Sequence, residues 1–325
     1  MIKAYVTGAG GMVGSHLIEL LHRKGFEVSG SYYHPTVDLE DIDLNGIHMF
    51  ELDVRDHKKM HEFIAKEHPD YIFHLAAQSF PVISWKDPYY TMDVNVNGTV
   101  GLFEAIKDAR NDHPEYNPKV VVISSSAIYG EALMDYDEDH LPDETCDLKP
   151  LHPYGVSKVA EDLLCFQYSR NYDLHIMRVR LFNCTGPRKI GDISSDFARR
   201  AVALSRKGDN KLVVGSLEAR RAILDVRDLC NGLLLLAEKG VKGGAYNICS
   251  SHVFKMDHVV TCLESIMGVK YELVQDPKLL RPADERLYAG NCDKIKALGW
   301  EEEYQYIDTL KDIVSYWEKK KDLKL

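Results

Sequence analysis

The sequence predicts an α/β fold: a Rossmann-like, doubly wound parallel sheet with a smaller, interleaved α/β lobe toward the C-terminus. Three observations predict it. Short runs rich in Val and Ile alternate with amphipathic stretches through the first half of the chain. The first of these runs leads directly into a glycine-rich turn at residues 7–14. After about residue 181 the alternation loosens, and loops that contain Gly and Pro separate shorter elements.

The elements follow in order from the periodicity of apolar residues. Uniformly apolar runs of four to eight residues are typical of parallel strands that are buried on both faces, and longer stretches with a helical period are typical of helices that cover them. The predicted strands are Ile2–Val6, Glu27–Tyr32, Ile47–Glu51, Tyr71–Leu75, Lys119–Ile123, Leu174–Leu181 and Ala245–Ile248. The predicted helices are 13–21, 56–67, 91–109 and 154–170, with an apolar helix inside 224–244. Such a fold binds its ligand at the carboxyl ends of the strands.

Composition excludes several classes of protein. The 40 Lys and Arg against 50 Asp and Glu give a formal charge of −10, which opposes nucleic-acid binding. The longest apolar run, Leu233–Ala237, is far too short for a membrane span, and the N-terminus enters a strand without room for a signal peptide. Seven cysteines without a CxxC pair predict neither a disulfide framework nor zinc. His57 and His61 share a helix face without a third ligand. We therefore expect a cytoplasmic protein with no metal site.

A glycine-rich turn follows the first predicted strand. Gly8, Gly11 and Gly14 recur every three residues between that strand and an amphipathic helix. A tight turn and a close approach to a pyrophosphate both exclude a Cβ atom, and a helix N-terminus offers free amides and the positive end of its dipole. In this strand–turn–helix context the glycines predict a dinucleotide-binding loop rather than an ordinary turn.

The end of the second predicted strand bears on the choice of dinucleotide. A carboxylate there binds the ribose diol of NAD, whereas a nearby cation favours the 2′-phosphate of NADP. Residues 31–34 are Ser-Tyr-Tyr-His and supply no carboxylate, while His34 and Arg55 are poor substitutes for an arginine clamp. The missing acid favours NADP(H) over NAD(H), and both stay open. Asp53, after the third strand, is either a partner of the adenine amino group or a surface-loop residue.

Candidate catalytic residues lie on a helix and at the end of a strand. Tyr154 and Lys158 are four residues apart, which places both on one helix face. A cation near a phenol favours the phenolate, so the tyrosine can exchange a proton with an alcohol or ketone. Residues 124–126 are three serines at the carboxyl end of the preceding strand. A serine hydroxyl there can share the substrate oxygen with Tyr154.

These features together resemble the extended short-chain dehydrogenase/reductases, the NAD-dependent epimerase/dehydratase family. The resemblance spans nearly the whole chain and is strongest to the nucleotide-sugar branch that contains GDP-mannose 4,6-dehydratase and GDP-4-keto-6-deoxymannose reductase. The segments that carry it, besides the glycine turn, the serines and the Tyr154/Lys158 pair, are His74–Ser79, Asn95–Thr99, Leu181–Pro187, Ser195–Ala198, Val214–Ala219 and Leu280–Pro282.

The resemblance implies roles for individual residues. It implies a catalytic triad of Ser125, Tyr154 and Lys158, with Ser125 chosen because it lies four residues before Tyr129. The cofactor-binding residues are then Gly8, Gly11, Met12, Val13, Gly14, Tyr32, Asp53, Val54, Leu75, Ala76, Ala77, Asn95, Tyr154 and Lys158. The substrate-binding residues are Ser79, Ser126, Asn183, Arg188, Val214, Arg221, Arg281 and Asp284, of which the arginines suit diphosphate oxygens.

The residue two positions before Tyr129 bears on the reaction. By resemblance, 4,6-dehydratases have an acid there and GDP-fucose synthase-type enzymes a cysteine, whereas this chain has Ala127. UDP-galactose-type 4-epimerases often have a lysine where Ser79 stands. Elimination favours an NAD(P)H-dependent reductase of the C4 ketone of a GDP-linked 4-keto-6-deoxy sugar. The alternative is an NAD-dependent nucleotide-sugar 4-epimerase, followed by a 4,6-dehydratase and a non-catalytic dinucleotide-binding regulator.

The resemblance also implies how the chain is organised. Residues 1–180 form a dinucleotide-binding domain to which 224–250 return, and 181–325 form mainly a sugar-nucleotide lobe. The expected ligand is a nucleotide-diphosphate sugar, with GDP favoured, and neither nucleic acid nor a membrane is an expected partner. A homodimer is expected through the helices near 91–109 and 154–170. The acidic stretch Asp135–Glu144 is expected to be solvated surface.

Overall fold

The computed structural model describes residues 1–279, 287–321 and 323. Its strands are β1 (Lys3–Thr7), β2 (Glu27–Tyr32), β3 (His48–Glu51), β4 (Tyr71–His74), β5 (Lys119–Ser125), β6 (His175–Leu181), β7 (Asn183–Thr185), β8 (Lys211–Val214), β9 (Arg220–Asp225), β10 (Ala245–Ile248), β11 (Val253–Lys255), β12 (Glu272–Gln275) and β13 (Leu287–Tyr288). Its α-helices are α1 (Met12–Arg23), α2 (His57–Glu67), α3 (Pro81–Lys86), α4 (Pro88–Met92), α5 (Gly98–Asp112), α6 (Pro153–Asn171), α7 (Ile193–Lys207), α8 (Val226–Lys239), α9 (Asp257–Met267), α10 (Asp293–Lys296) and α11 (Tyr306–Lys319). Within the described ranges, none of these helices has both the length and the apolar composition needed to cross a membrane.

Seven strands form one parallel sheet, in the order β10-β6-β5-β4-β1-β2-β3. The strand order runs outward from β1 in both directions, which is the arrangement of a doubly wound Rossmann-like sheet. The predicted fold class is therefore confirmed. The register aligns Thr7 with His74 and Ser125 with Leu181, so the carboxyl ends of β1, β4, β5 and β6 meet at one edge. That edge is where a ligand of this fold binds.

Apolar side chains cover both faces of this sheet. Val6 of β1 packs in a cluster with buried residues of α1 and α8, while the neighbouring Tyr5 packs on the other face with residues of α2 and α5. Alternate residues of a strand point to opposite faces, so a strand covered on both sides must be apolar throughout. This burial explains why the predicted strands agree closely with β1, β2 and β6.

The predicted helix 91–109 is divided in the structure. Helix α4 is followed by a π-helical turn, Asp93–Asn97, and then by α5. A π-turn inserts extra backbone between two helical segments, and such turns are frequent at functional sites. The insertion coincides with Asn95, whose side chain is fully buried. Apolar periodicity could not reveal it, because the apolar positions on both sides still follow a helical repeat.

The C-terminal half builds two smaller sheets and returns one strand to the large sheet. Strand β9 pairs with β7 and β13 in parallel and with β11 antiparallel, and β8 pairs with β12. Helices α7, α9 and α11 pack over them around a third apolar cluster that includes Phe197, Leu263 and Ile313. After α8, strand β10 pairs with β6 at the edge of the large sheet.

A buried ionic cluster attaches α6 to β6. The Asp162 carboxylate is fully buried and accepts hydrogen bonds from Arg178 at 2.5 Å and from Arg180 at 2.9 Å. Arg180 also donates to the carbonyl oxygen of Glu144 at 2.8 Å. Because these charges have lost their water, each depends on its partner. The cluster thus holds the helix that carries Tyr154 and Lys158 against the sheet.

Replacing Asp162 tests how much this cluster contributes to the stability of the fold. We expect Asp162→Asn to lower the free energy of unfolding by about 3–5 kcal/mol, because it leaves buried arginine charge uncompensated. The measurement is urea unfolding at neutral pH. The matched control is Asp308→Asn, which removes a carboxylate 3.0 Å from Lys311 where both side chains are more than half exposed. The control should change stability by less than about 1 kcal/mol, and equal losses in the two variants would contradict this account.

Candidate active site

The glycine turn between β1 and α1 forms a close-fitting cradle. Gly8 has φ +71°, and a Cβ on it would lie 2.7 Å from the backbone nitrogen of Ala76. A Cβ on Gly14 would overlap the carbonyl oxygen of Gly8. Helix α1 begins at Met12 without a side-chain cap, so the amide groups of its first turn face outward from the turn. A cradle that a side chain would fill, at an uncapped helix N-terminus, fits a pyrophosphate.

His74 ties the end of β4 to its neighbours. Its Nδ1 lies 2.8 Å from the Thr7 hydroxyl, and its Nε2 lies 3.1 Å from that of Thr99. Burial, together with the nearby Lys158 ammonium, lowers the pKa of His74 to about 3. The neutral imidazole therefore serves as a structural bridge between β1 and α5.

Asn95 holds the loop after β4 against α6. Its Oδ1 accepts from the Gln78 amide at 2.8 Å, and its Nδ2 donates to the Gln78 carbonyl at 3.1 Å and to Ser157 Oγ at 2.9 Å. The same loop carries Ser79, which is exposed. The structure thus gives Asn95 a bridging position between the loop after β4 and α6.

The end of β5 and the helix α6 are joined directly. Ser124 Oγ donates to the carbonyl oxygen of Lys158 at 3.1 Å, and Lys158 Nζ donates to the carbonyl oxygen of Ile123 at 2.8 Å. Ser125 Oγ accepts from the Ala127 amide at 3.1 Å. These contacts bring the predicted Ser125 to the strand edge beside the helix face that carries Tyr154 and Lys158.

His152 starts α6 and packs on Tyr154. Its Nδ1 accepts from the Gly155 amide at 2.9 Å, which caps the helix, and its ring stacks on Tyr154 with centroids 5.8 Å apart. Burial lowers the pKa of His152, and the neutral form is the one that accepts this hydrogen bond. A Cβ on Gly155 would lie 2.8 Å from the Ala127 carbonyl, so the first turn of α6 rests on the turn that follows β5.

A carboxylate that the sequence analysis missed contacts the candidate catalytic lysine. Glu161 Oε2 accepts from Lys158 Nζ at 2.6 Å, and both side chains are buried. Burial lowers the pKa of Lys158, but its attraction to Glu161 and Tyr154 outweighs that and leaves the pKa raised. Burial raises the pKa of Glu161 to about 7 despite the attraction of the ammonium. The signal in the sequence was the i,i+3 spacing on the helix.

On the substrate side, Ser126 and Arg221 meet at a second residue that the sequence analysis missed. Ser126 Oγ donates to the Tyr288 hydroxyl at 2.6 Å, and the Arg221 guanidinium lies over the Tyr288 ring at 5.4 Å. Tyr288 aligns with Arg221 because β13 pairs with β9. That pairing joins residues distant in sequence, so only the tertiary structure reveals it.

The other predicted substrate residues lie apart. Asn183 Nδ2 is buried and has no hydrogen-bond partner among the described residues, which leaves a donor for a ligand. Val214 is buried in the apolar cluster of the small lobe, and Arg188, with φ +71°, directs its guanidinium to Glu19 of α1 at 2.7 Å. Arg281 and Asp284 lie outside the described residues.

On the adenosine side of the predicted cofactor site, Asp53 is engaged by a neighbour. Arg55 donates to both of its carboxylate oxygens, with one contact of 2.6 Å. This ion pair offsets the burial that would otherwise raise the pKa of Asp53, and the pKa is lowered overall. Tyr32 ends β2 half-buried, and Val54 is buried against Gly98.

The acidic stretch Asp135–Glu144, which we expected to be solvated surface, makes contacts with the rest of the protein. Glu138 forms an ion pair with Arg220 of β9, and the Glu144 carboxylate accepts from the backbone amide of Asn247 at 2.6 Å. Glu138 is exposed, as expected for a solvated surface, whereas Glu144 is half-buried because β10 passes beside it. Among residues 1–279, 287–321 and 323, no three His, Cys, Asp or Glu side chains cluster as a metal site.

Comparison with known proteins agrees with this geometry. A sequence model described as GDP-mannose 4,6 dehydratase matches residues 5–313. The chain belongs to this family. The identification drawn from the sequence motifs is thereby confirmed, as is the prediction that the chain is an enzyme of the nucleotide-sugar type.

Several enzymes that act on nucleotide sugars are similar to this chain along nearly the whole length of both. GDP-6-deoxy-D-mannose reductase of Pseudomonas aeruginosa is 30% identical over 322 residues, which cover 97% of each chain. The structure of RMD from Pseudomonas aeruginosa complexed with NADPH has a TM-score of 0.81 at 28% identity, covering 98% of this chain and 99% of that one. UDP-glucose 4-epimerase of Thermotoga maritima with UDP-glucose has a TM-score of 0.87 at 26% identity, with the same coverage.

The buried His74 of this family member makes its stability depend on pH. Because the folded pKa of about 3 lies below the ordinary value of 6.5, His74 contributes stability that is full above pH 6.5 and is lost as the pH falls toward 3. Between pH 7 and 5 the wild type should lose about 2 kcal/mol more than His74→Gln. Urea unfolding at the two pH values measures this. The control His140→Gln, at a side chain 84% exposed, should follow the wild type. Parallel losses in wild type and His74→Gln would contradict the assignment.

Proposed function

We propose that the chain is an NAD(P)H-dependent reductase that converts the C4 ketone of a GDP-linked 4-keto-6-deoxy sugar into an alcohol. The observation that carries the proposal is the meeting of the β5 serines with the Tyr154/Lys158 face of α6, at the same sheet edge as the glycine turn. The 30% identity to a GDP-6-deoxy-D-mannose reductase supports the reaction class.

The proposed mechanism assigns one task to each residue of the triad. When bound, the dinucleotide supplies the hydride that reaches C4. The Tyr154 phenol donates its proton to the C4 oxygen as negative charge develops there. The Ser125 hydroxyl donates a hydrogen bond to the same oxygen and polarises the carbonyl. Lys158, kept protonated by its attraction to Glu161 and Tyr154 despite its burial, supplies the positive charge beside the phenol.

For the cofactor we propose NADP(H). The cradle at Gly8 and Gly14 suits the pyrophosphate of either dinucleotide. Residues 31–34, at the end of β2, contain no carboxylate to bind the ribose diol of NAD. Asp53, the acid predicted on the adenosine side, is already paired with Arg55. A structural relative with 28% identity is complexed with NADPH, which supports the same preference here.

For the substrate we propose a GDP-linked sugar held between β5 and the smaller sheets. Arg221 on β9 lies over the ring of Tyr288, and the Tyr288 hydroxyl accepts a hydrogen bond from Ser126 at the end of β5. These contacts connect β9 to the end of β5. A guanidinium in such a place suits a diphosphate, and the unpartnered amide of Asn183 adds a donor.

An NAD-dependent 4-epimerase is the second candidate. The observation that favours it is the TM-score of 0.87 with a UDP-glucose 4-epimerase that was crystallised with UDP-glucose. An epimerase keeps its oxidised cofactor, because it first oxidises and then reduces C4. Mass spectrometry of ligands released from the purified protein separates the two candidates: tightly retained NAD selects the epimerase.

Substitution of Tyr154 tests the reductase. Purified wild type should consume NADPH with a GDP-linked 4-keto-6-deoxy sugar, and Tyr154→Phe should lower kcat by at least about 100-fold, because the proton donor is lost. NADPH binding, followed by its fluorescence, should stay within about threefold of wild type. The control Tyr271→Phe should keep full activity, since Tyr271 lies beside Glu264 of α9. Full activity of Tyr154→Phe would refute the mechanism.

We also propose a homodimer. Helix α6 exposes Val156, Leu163 and Phe166 on one face, each 46–51% exposed, and the adjacent α3 and α4 expose Trp85 and Tyr89. Apolar side chains gathered on neighbouring helices are typical of a protein interface. Two copies placed about a twofold axis would bury this surface on both.

A charge in the apolar face tests the dimer. Wild type should elute at twice the mass of the chain in size exclusion with light scattering. Phe166→Glu should weaken the dimer by at least about tenfold in Kd, because it buries an unpaired charge. The control Val241→Glu, at a residue 65% exposed elsewhere, should leave the dimer intact. A monomeric wild type, or an unaffected Phe166→Glu variant, would contradict the interface.

We propose a cytoplasmic location for this reaction. All seven cysteines are free and buried. Seven unpaired thiols suit a reducing compartment better than an oxidising one.

A further inference from the structure

Glu161 is a buried carboxylate that the proposed mechanism leaves without a task. It lies on α6 one turn beyond Lys158 and two turns beyond Tyr154, and its side chain is only 1% exposed. Its Oε2 lies 2.6 Å from Lys158 Nζ, while the Thr99 hydroxyl lies 3.4 Å from its Oε1. Burying a carboxylate is costly unless a specific partner offsets the loss of water. The partner here is the lysine that stands beside the candidate proton donor.

The surrounding groups leave this carboxylate as the main counter-charge to Lys158. The titratable or charged groups that face the pair are Tyr154, Asp162 and Cys165 of α6, His74 of β4 and Arg178 of β6. The pKa of His74 is lowered to about 3 and burial raises the pKa of the Cys165 thiol, so both are neutral near pH 7. The Asp162 charge is offset by two arginines. Glu161 is therefore the negative charge in direct contact with the Lys158 ammonium.

We propose that Glu161 is a positioning residue that acts through Lys158, because its carboxylate offsets the ammonium charge and so keeps the Tyr154 phenol protonated for reduction. This inference rests on the proposed function, in which Tyr154 must begin each turnover as a proton donor.

The physical reason is the sign of the two charges. An isolated ammonium beside a phenol favours the phenolate, which suits oxidation of an alcohol and depletes the proton needed for reduction. A carboxylate in contact with the ammonium makes the pair nearly neutral, so the phenol keeps its proton to higher pH. The geometry allows this, since Glu161 Oε2 lies 2.6 Å from Lys158 Nζ and both side chains are buried.

A purely structural Glu161 would behave differently. If the carboxylate served only to hold the lysine side chain in place, its loss would lower activity equally at every pH. If it offsets charge, its loss moves the pH at which activity falls. The test must therefore compare pH profiles and not single rates.

The experiment measures kcat/KM for ketone reduction against pH in wild type and Glu161→Gln. The amide keeps the size of the side chain and an oxygen that accepts from Lys158. We expect the alkaline fall in activity to move down by about one pH unit, which is about a tenfold loss above that pH, with little change on the acidic side. The same shift should appear when the ultraviolet absorbance of tyrosinate is followed against pH in cofactor-free protein. Subtracting the absorbance of the matching Tyr154→Phe variant isolates the contribution of Tyr154.

The control is Glu104→Gln. Glu104 on α5 contacts Lys107 at 2.8 Å and the Tyr168 hydroxyl at 2.5 Å, so it combines a glutamate, a lysine and a tyrosine as the Glu161 site does. Its side chain is 36% exposed. This variant should leave both the pH profile and the Tyr154 titration unchanged.

Each outcome decides the inference. A uniform loss in Glu161→Gln with an unmoved profile, or a shift to higher pH, overturns it. If Glu161→Gln does not fold, Glu161→Asp carries the test: a carboxylate drawn back by one methylene should give a smaller shift in the same direction, and no shift overturns the proposal. The tyrosinate titration needs neither substrate nor cofactor, so it can be measured even if the proposed reduction fails. If the wild type reduces the ketone but the titration of Glu161→Gln is unchanged, only the proposal for Glu161 is overturned.

Discussion

The contact between the end of β5 and helix α6 is the constraint on which the site depends. Lys158 donates to the carbonyl of Ile123, Ser124 donates back to the carbonyl of Lys158, and Asp162 is fixed one turn later by the arginines of β6. A rotation of α6 by one residue would turn Tyr154 about 100° away from the sheet edge. These few buried polar contacts therefore fix the orientation of the helix face that carries Tyr154 relative to the serines at the end of β5.

Buried polar groups carry both the stability and the chemistry of this protein. His74, Asn95 and Glu161 lie within one layer between β4, α5 and α6, and nearly every polar atom in it has a partner. Such a network is rigid because each unpaired group would cost the full loss of its hydration. Rigidity at this place would keep the proposed triad aligned, while the buried Asn183 amide, which has no partner among the described residues, lies outside this layer.

For an anionic ligand, the groups that touch it matter more than the net charge of the chain. With a formal charge of −10 the protein repels polyanions at long range, yet its relatives act on nucleotide sugars. Backbone amides at the start of α1 carry no net charge and are unaffected by the acidic surface. In the proposed function, the Arg221 guanidinium over the Tyr288 ring would attract a diphosphate at contact distance in the same way.

The sequence by itself determined the sheet, the glycine cradle and the Tyr154/Lys158 face, because each depends on a pattern within one element: short apolar runs in strands, four residues on a helix, three between glycines. Only the tertiary structure decided the position of Tyr288, the pairing of Arg188 with Glu19 and the role of the acidic stretch. Those contacts join residues far apart in the chain, through strand register and lobe packing. No local period encodes such pairings, since they arise from the free energy of the whole fold.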